Sequence, residues 1–143
     1  MECEIPSVNS NTDEMKHYFE KCKTIAVVGC SPDETKASNR VAAYLKEVGH
    51  KMIPLYPKGD VILGEKAYRS LAEIEEPVDM VVAFRKPAAL ATIADAVIAR
   101  GDVKVFWTQL GLVNNEAAQK VKEAGIDVVQ NYCAMVEHRG IFG

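Results

Sequence analysis

Five cations follow short apolar runs in this chain, and that spacing is the first sign of chemistry. Lys36 and Arg40 come after Thr24–Val28, Lys58 after Lys51–Tyr56, and Arg85 and Lys86 after Val78–Phe84. The first run ends in Gly29-Cys30-Ser31-Pro32-Asp33, and a helical pattern starts near Ser38. Val41, Tyr44, Leu45 and Val48 then lie at i, i+3, i+4 and i+7, one apolar stripe. Strand, tight loop and helix in that order place loop N–H groups and a helix N-terminus where a phosphate is favoured. The dinucleotide pattern G-x-G-x-x-G is not met, because Gly29 is the only glycine of the three in Gly29–Glu34. One glycine is a weak signal, so the weight falls on the cations. Lys36 and Lys86 also read as solvated surface charges, whereas Lys58 and Arg85, at strand exits, are the better candidates.

The elements that must position these residues are legible from periodicity. Asn11 and Glu14 have capping-box spacing. A helix is expected over 12–21, with Met15, Tyr18, Phe19 and Cys22 on one face. Strands follow at 24–28, 51–56, 78–84, 103–107 and 126–129, with a very short one at Ala67-Tyr68 and a connecting loop over 61–66. Pro54 removes a backbone donor, so the second strand is expected to be short or near an edge at that point. Pro87 suits the first turn of a helix striped by Leu90, Ile93, Ala94, Val97 and Ile98, and Asn114 caps a helix running to Ala124. Strands alternate with helices. The fold class is therefore α/β: a doubly wound, mostly parallel, Rossmann-like sheet with helices on both faces. The organisation expected is a flexible tail over 1–10, one domain over 11–143, and a tail from Met135 onward. In such a sheet the exits Gly29-Cys30-Ser31, Tyr56-Pro57-Lys58, Phe84-Arg85-Lys86 and Trp107-Thr108-Gln109-Leu110-Gly111 share one edge, where ligands bind.

The end of the second strand discriminates between nucleotides. An NAD protein carries an acid there for the ribose hydroxyls. This chain carries Tyr56-Pro57-Lys58, and a lysine fits a phosphorylated ribose: the 2′-phosphate of NADP or the 3′-phosphate of coenzyme A. With VVGCSPDETKASNR, PLYPKGDVILGEKAYRSLAEI, PVDMVVAFRKP, VFWTQLGLVNNEAAQKVKEAGIDVV and NYCAMVEHRGIF in that order, the chain resembles the small stand-alone CoA-binding proteins. More distantly it resembles the CoA-binding domain of the succinyl-CoA synthetase alpha subunit and related acyl-CoA ligases. The resemblance covers residues 23 to about 142. It implies a Rossmann-like fold and coenzyme A as ligand, held by Gly29, Cys30, Ser31, Lys36, Arg40, Tyr56, Pro57, Lys58, Phe84, Arg85, Trp107 and Gln109. Two positions depart from the pattern: Tyr56 replaces the usual Asn, and Cys30 a small residue such as Ala.

Composition narrows the classes. A net charge of −3 argues against a general nucleic-acid binder, and no apolar run reaches the roughly 20 residues of a membrane span. The polar, acidic start is no signal peptide, and Cys3, Cys22, Cys30 and Cys133 form no C-x-x-C pair, which suits a reducing cytoplasm. No Ser-His-Asp arrangement is legible. His17 and His50 lie away from the ligand edge, His138 reads first as a structural packing residue, and Cys133 with His138 supplies too few ligands for a metal site. We therefore expect no catalytic residue and no metal. The expected function is a CoA or acyl-CoA binding module, with a regulatory role or a place beside another subunit as its two contexts; an NADP-dependent oxidoreductase, or a nucleotide-binding subunit of a larger enzyme, is the alternative. Cys30 reads first as a small residue filling the place of alanine; its position near a helix N-terminus, which would lower its pKa, makes a mixed disulfide with CoA the second reading. Gly29→Val is expected to abolish binding while sparing the fold.

Overall fold

The computed structural model describes residues 5–143. Five parallel strands form the central sheet: β1 (Thr24–Val28), β2 (Lys51–Leu55), β5 (Met80–Ala83), β6 (Val105–Thr108) and β7 (Asp127–Val129), in the spatial order β2-β1-β5-β6-β7. The order reverses between β1 and β5. That gap is the switch point where doubly wound sheets hold their ligands. β2, with its Pro54, is an edge strand, as its missing N–H requires.

Side-chain alternation divides the core into two layers. Ile25 and Val27 of β1, Met80 and Val82 of β5, and Val105 and Trp107 of β6 face α1 (Thr12–Lys21), α2 (Ala37–Glu47) and α5 (Ala134–Phe142). Ala26, Val28, Val81, Ala83 and Phe106 face α3 (Leu90–Arg100) and α4 (Asn115–Glu123). Both faces of the strands are buried, which is why they read as unbroken apolar runs. The Asn11–Glu14 capping box on α1 forms in both directions. Gly101 ends α3 in the left-handed conformation.

Three segments differ from expectation. Residues 134–142 are a helix, α5, rather than a tail. Its stripe is Ala134, His138, Ile141 and Phe142, with His138 packed edge-on to Phe19 at 5.0 Å. Residues 61–66 form a small antiparallel hairpin, β3 (Val61–Ile62) with β4 (Glu65–Lys66), and Tyr68 makes only a single bridge to Leu55. The expected tail over 1–10 falls partly outside the described residues. From Ser7 onward it is fastened: Ser7 N donates to Asn115 Oδ1, the Asn9 amide exchanges two bonds with the Gln130 backbone, and Ser10 Oγ donates to Val128 O. These bonds cover the outer edge of β7.

Opposite the ligand edge, Asp79 joins the amino ends of three strands. Its Oδ2 accepts N–H bonds from Lys23 and Thr24 at the start of β1, its Oδ1 pairs with Lys104 at 3.3 Å, and its carbonyl accepts from Lys104 and Val105. Burial by itself would raise the carboxyl pKa; the bonds from Thr24, Lys23 and Lys104 outweigh it and hold the group below the usual range. Asp79→Ala should therefore cost about 2 kcal/mol in urea unfolding at neutral pH, the usual scale for bonds to a charged group. A depressed pKa contributes stability above the unfolded value and loses it as pH falls through the folded one. The gap between wild type and variant should close as pH drops below about 4. A gap unchanged at pH 3 would contradict this role.

Candidate functional site

The exits of β1 and β5 meet at the switch point, and Gly29 sets how closely. Its φ is +84°, and a Cβ there would lie 2.5 Å from the Phe84 carbonyl oxygen and 3.3 Å from Arg85 Nε. Only glycine allows both that conformation and that approach. The half-buried Arg85 guanidinium is thereby laid against the first loop.

The loop is braced from within. Gly29 N and Cys30 N both donate to Leu55 O, at 2.9 and 3.0 Å. Ser31 N donates to Ser38 Oγ at 3.0 Å, and Asn39 Nδ2 to Ser31 O at 2.8 Å. The loop N–H groups over 29–31 thus already have partners. The first turn of α2 is a further source of N–H donors, because its N-cap, Lys36, makes no side-chain cap. Ser31 Oγ accepts from Asp33 N at 3.1 Å, which leaves its own proton to donate. Arg40 Nη1 holds Thr35 O at 2.6 Å, so this exposed cation sits over the loop.

At the β2 exit Tyr56 is half-buried against the α1-side core, and Pro57 and Lys58 are exposed in the turn. Arg69 Nη1 donates to Tyr56 O at 2.9 Å, adding a cation there. Beside it opens an apolar cleft of about 180 Å³ lined by Val28, Leu55, Leu71, Ile93 and Ala96 at the ends of β1 and β2. Its walls fit a flat, mostly apolar ring. Larger depressions beside Arg100–Asp102 and along α1 do not reach the strand exits. At the β6 exit, Thr108 Oγ1 is buried without a hydrogen-bond partner, a group that a ligand's polar atom would satisfy.

Residues 23–139 match the CoA binding domain family. The chain belongs to that family. The uncharacterized protein YneT of Bacillus subtilis (strain 168) is 39% identical over 130 residues, covering 91% of this chain and 96% of YneT. An ADP-forming acetate–CoA ligase of Archaeoglobus fulgidus is 34% identical over 105 residues, 73% of this chain but 14% of the ligase. The chain is thus homologous to the CoA-binding part of much longer enzymes. Among solved structures, a hypothetical protein from Pyrococcus horikoshii OT3 superposes with a TM-score of 0.91 at 34% identity, each chain covered over its full length. A Thermus thermophilus protein does so at 0.88 and 38%, covering 93% of this chain and 100% of that one.

In this CoA-binding domain the residues named from sequence divide. Gly29, Ser31, Lys36, Arg40, Tyr56, Pro57, Lys58, Phe84 and Arg85 line the β2, β1 and β5 exits. Trp107 does not: it is fully buried, 5.2 Å from Phe19, with Nε1 donating to Tyr132 O. Gln109 is also turned inward and accepts Ala134 N at 3.1 Å. Strand alternation explains Trp107, since it follows Val105 onto the α1 face. Cys30 is buried, and desolvation pushes its thiol up to about 11, the reverse of the expected lowering. It presents no surface for a disulfide. His138 Nδ1 pairs with Tyr44 Oη at 2.6 Å rather than with Cys133. Among the described residues no group of three His, Cys, Asp or Glu is placed to hold a metal ion. Sequence reading missed Ser38, Asn39 and Arg69, and placed Thr108 at the edge without a role. Two consecutive polar residues at the start of an apolar-striped helix were the available signal for Ser38 and Asn39.

Gly29→Val cannot spare the fold, because the clash is with backbone. Gly125 has a similar φ of +86° but open space around its Cβ. Gly125→Ala should cost about 1 kcal/mol of left-handed strain, and Gly29→Ala at least about 1 kcal/mol more. Equal losses in urea unfolding would show that the Phe84 carbonyl imposes no constraint.

Proposed function

We propose that this protein binds coenzyme A or an acyl-CoA at the carboxyl edge of its sheet and works as a binding module with no catalytic centre of its own. The observation that carries the reading is the approach of Arg85 to Gly29 at the switch point, next to the uncapped start of α2, in a chain of the CoA-binding domain family. The pyrophosphate rests between the α2 N-terminus and Arg85, with Lys36, Arg40 and Ser31 around it. The adenosine lies toward Tyr56-Pro57-Lys58, with its ring in the cleft between Leu55 and Ile93. Phe84 flanks the pantetheine arm, and Thr108 Oγ1 meets one of its amide groups. Trp107, Gln109 and Cys30 support these loops from beneath. A module of this kind serves as a CoA-responsive regulator or as the ligand-holding partner of another protein. Buried free thiols at Cys22 and Cys30 suit a reducing cytoplasm.

Lys58 is the test of ligand identity. CoA and dephospho-CoA differ in the 3′-phosphate alone. If the Lys58 ammonium pairs with that phosphate, Lys58→Ala weakens CoA roughly tenfold, the scale of one charge-assisted bond. Dephospho-CoA should change little in the same calorimetric series. Equal losses for the two would mean that Lys58 does not read the ribose phosphate. NADP, whose 2′-phosphate suits the same lysine, is the competitor. Tighter binding of NADP than of CoA to the wild-type protein would overturn the CoA assignment.

A further inference from the structure

The ligand edge is chemically divided. Lys36, Arg40, Lys58, Arg69, Arg85 and Lys86 all belong to the β2, β1 and β5 side. The β6 and β7 exits carry no charge at all: none stands between Phe106 and Asn115, nor between Val128 and Val136. Yet three apolar side chains there are open to solvent. Leu110 is 69% exposed, Val136 55% and Tyr132 38%. Scattered exposed apolar residues need no explanation, but Leu110 and Tyr132 sit on loops fixed to one another, and Val136 sits in the first turn of α5, which one of those loops holds. Gly111 N donates to Asn131 Oδ1 at 2.7 Å, Asn131 N to Thr108 O at 3.0 Å, and Ala134 N to Gln109 Oε1. Asn131 takes a positive φ of 66° to make these bonds, an uncommon conformation outside glycine. The chain thus holds an apolar surface in place at one end of an edge whose other end is cationic.

Resting on the reading above, we propose that the natural ligand is an acyl-CoA with an apolar acyl chain, and that Leu110, Tyr132 and Val136 receive that chain. The polarity of the edge matches the polarity of such a molecule, phosphates at one end and a neutral arm and hydrocarbon at the other. The reach also agrees. From β1 to β7 there are three strand spacings of about 4.8 Å, or about 14 Å. An extended pantetheine arm has the backbone length of roughly four residues, about 14 Å as well. With its phosphates at the β1 exit, the thioester arrives over β6 and β7, and the acyl carbons beyond it meet the apolar loop surface.

The test is calorimetric titration of the full chain with CoA, acetyl-CoA, butyryl-CoA and hexanoyl-CoA below their aggregation concentrations. Affinity should rise with chain length, hexanoyl-CoA binding about tenfold more tightly than CoA, since each methylene removed from water adds to binding. In Leu110→Ser/Val136→Ser, two exposed positions whose change the fold tolerates, the hexanoyl-to-CoA ratio should fall to near one. Equal affinity for all four ligands overturns the acyl subsite while leaving CoA binding intact. A gradient that survives in the double variant overturns its location. No binding of any form removes the CoA reading and this one together. A wild-type dimer, seen by light scattering and lost in the double variant, would assign the surface to a second copy of the chain and overturn the proposal.

Discussion

The arrangement of the ligand edge depends on one close approach of two backbones. Gly29 turns at positive φ where the Phe84 carbonyl leaves no room for a Cβ. Because of that contact, the loop after β1 folds down onto the exit of β5 and Arg85 comes to lie against it. The same turn aims Gly29 N and Cys30 N at Leu55 O, which fastens the β2 exit to the other two. Three strand ends separated by nearly thirty residues each are drawn together by a position without a side chain. The internal bonds of Ser38 and Asn39 then fix the direction in which α2 leaves the loop, with no side-chain cap at its N-terminus.

Rigidity at this edge comes from paired polar side chains, of which Gln109 and Gln130 are buried and Asn114 and Asn131 half-buried. Gln109, Asn131, Asn114 and Gln130 tie the β6 and β7 exits to each other and to the helices beyond; Gln130 alone reaches Asn114 N, Val8 O and Asn115 Oδ1. Such groups are costly to bury unless satisfied, and satisfied they specify one arrangement. Thr108 Oγ1 stands apart as the buried side-chain atom left unpaired among the described residues. A rigid edge with one unmet hydroxyl suits a site shaped in advance for its ligand.

Much of the fold was legible because parallel strands buried on both faces are plain apolar runs, and because Gly49, Gly101 and Gly125 end helices where they stand. The strand exits, and with them Lys58 and Arg85, followed from topology. What was hidden depended on contacts distant in sequence. His138 packs, as its first reading had it, but the segment that carries it was taken for a tail and is the helix α5. Trp107 looks like a ligand platform but follows the strand's alternation into the core. Cys30 stands near a helix N-terminus, yet desolvation outweighs any lowering by the dipole. The donor capacity of the 29–31 loop was also misjudged from sequence, since neither Leu55 O nor Ser38 Oγ can be assigned to it without the fold.

The central claim is that the carboxyl edge of the sheet at the β1–β5 switch point holds coenzyme A. Backbone amide NMR of the uniformly labelled protein, titrated with CoA, tests this most directly. The account predicts the largest shifts at Ala37–Asn39, Lys58, Phe84-Arg85 and Thr108, with the amino-end amides of Lys23, Thr24 and Lys104 unmoved. Saturable shifts centred on those amino-end residues, or no shifts at millimolar CoA, would contradict it.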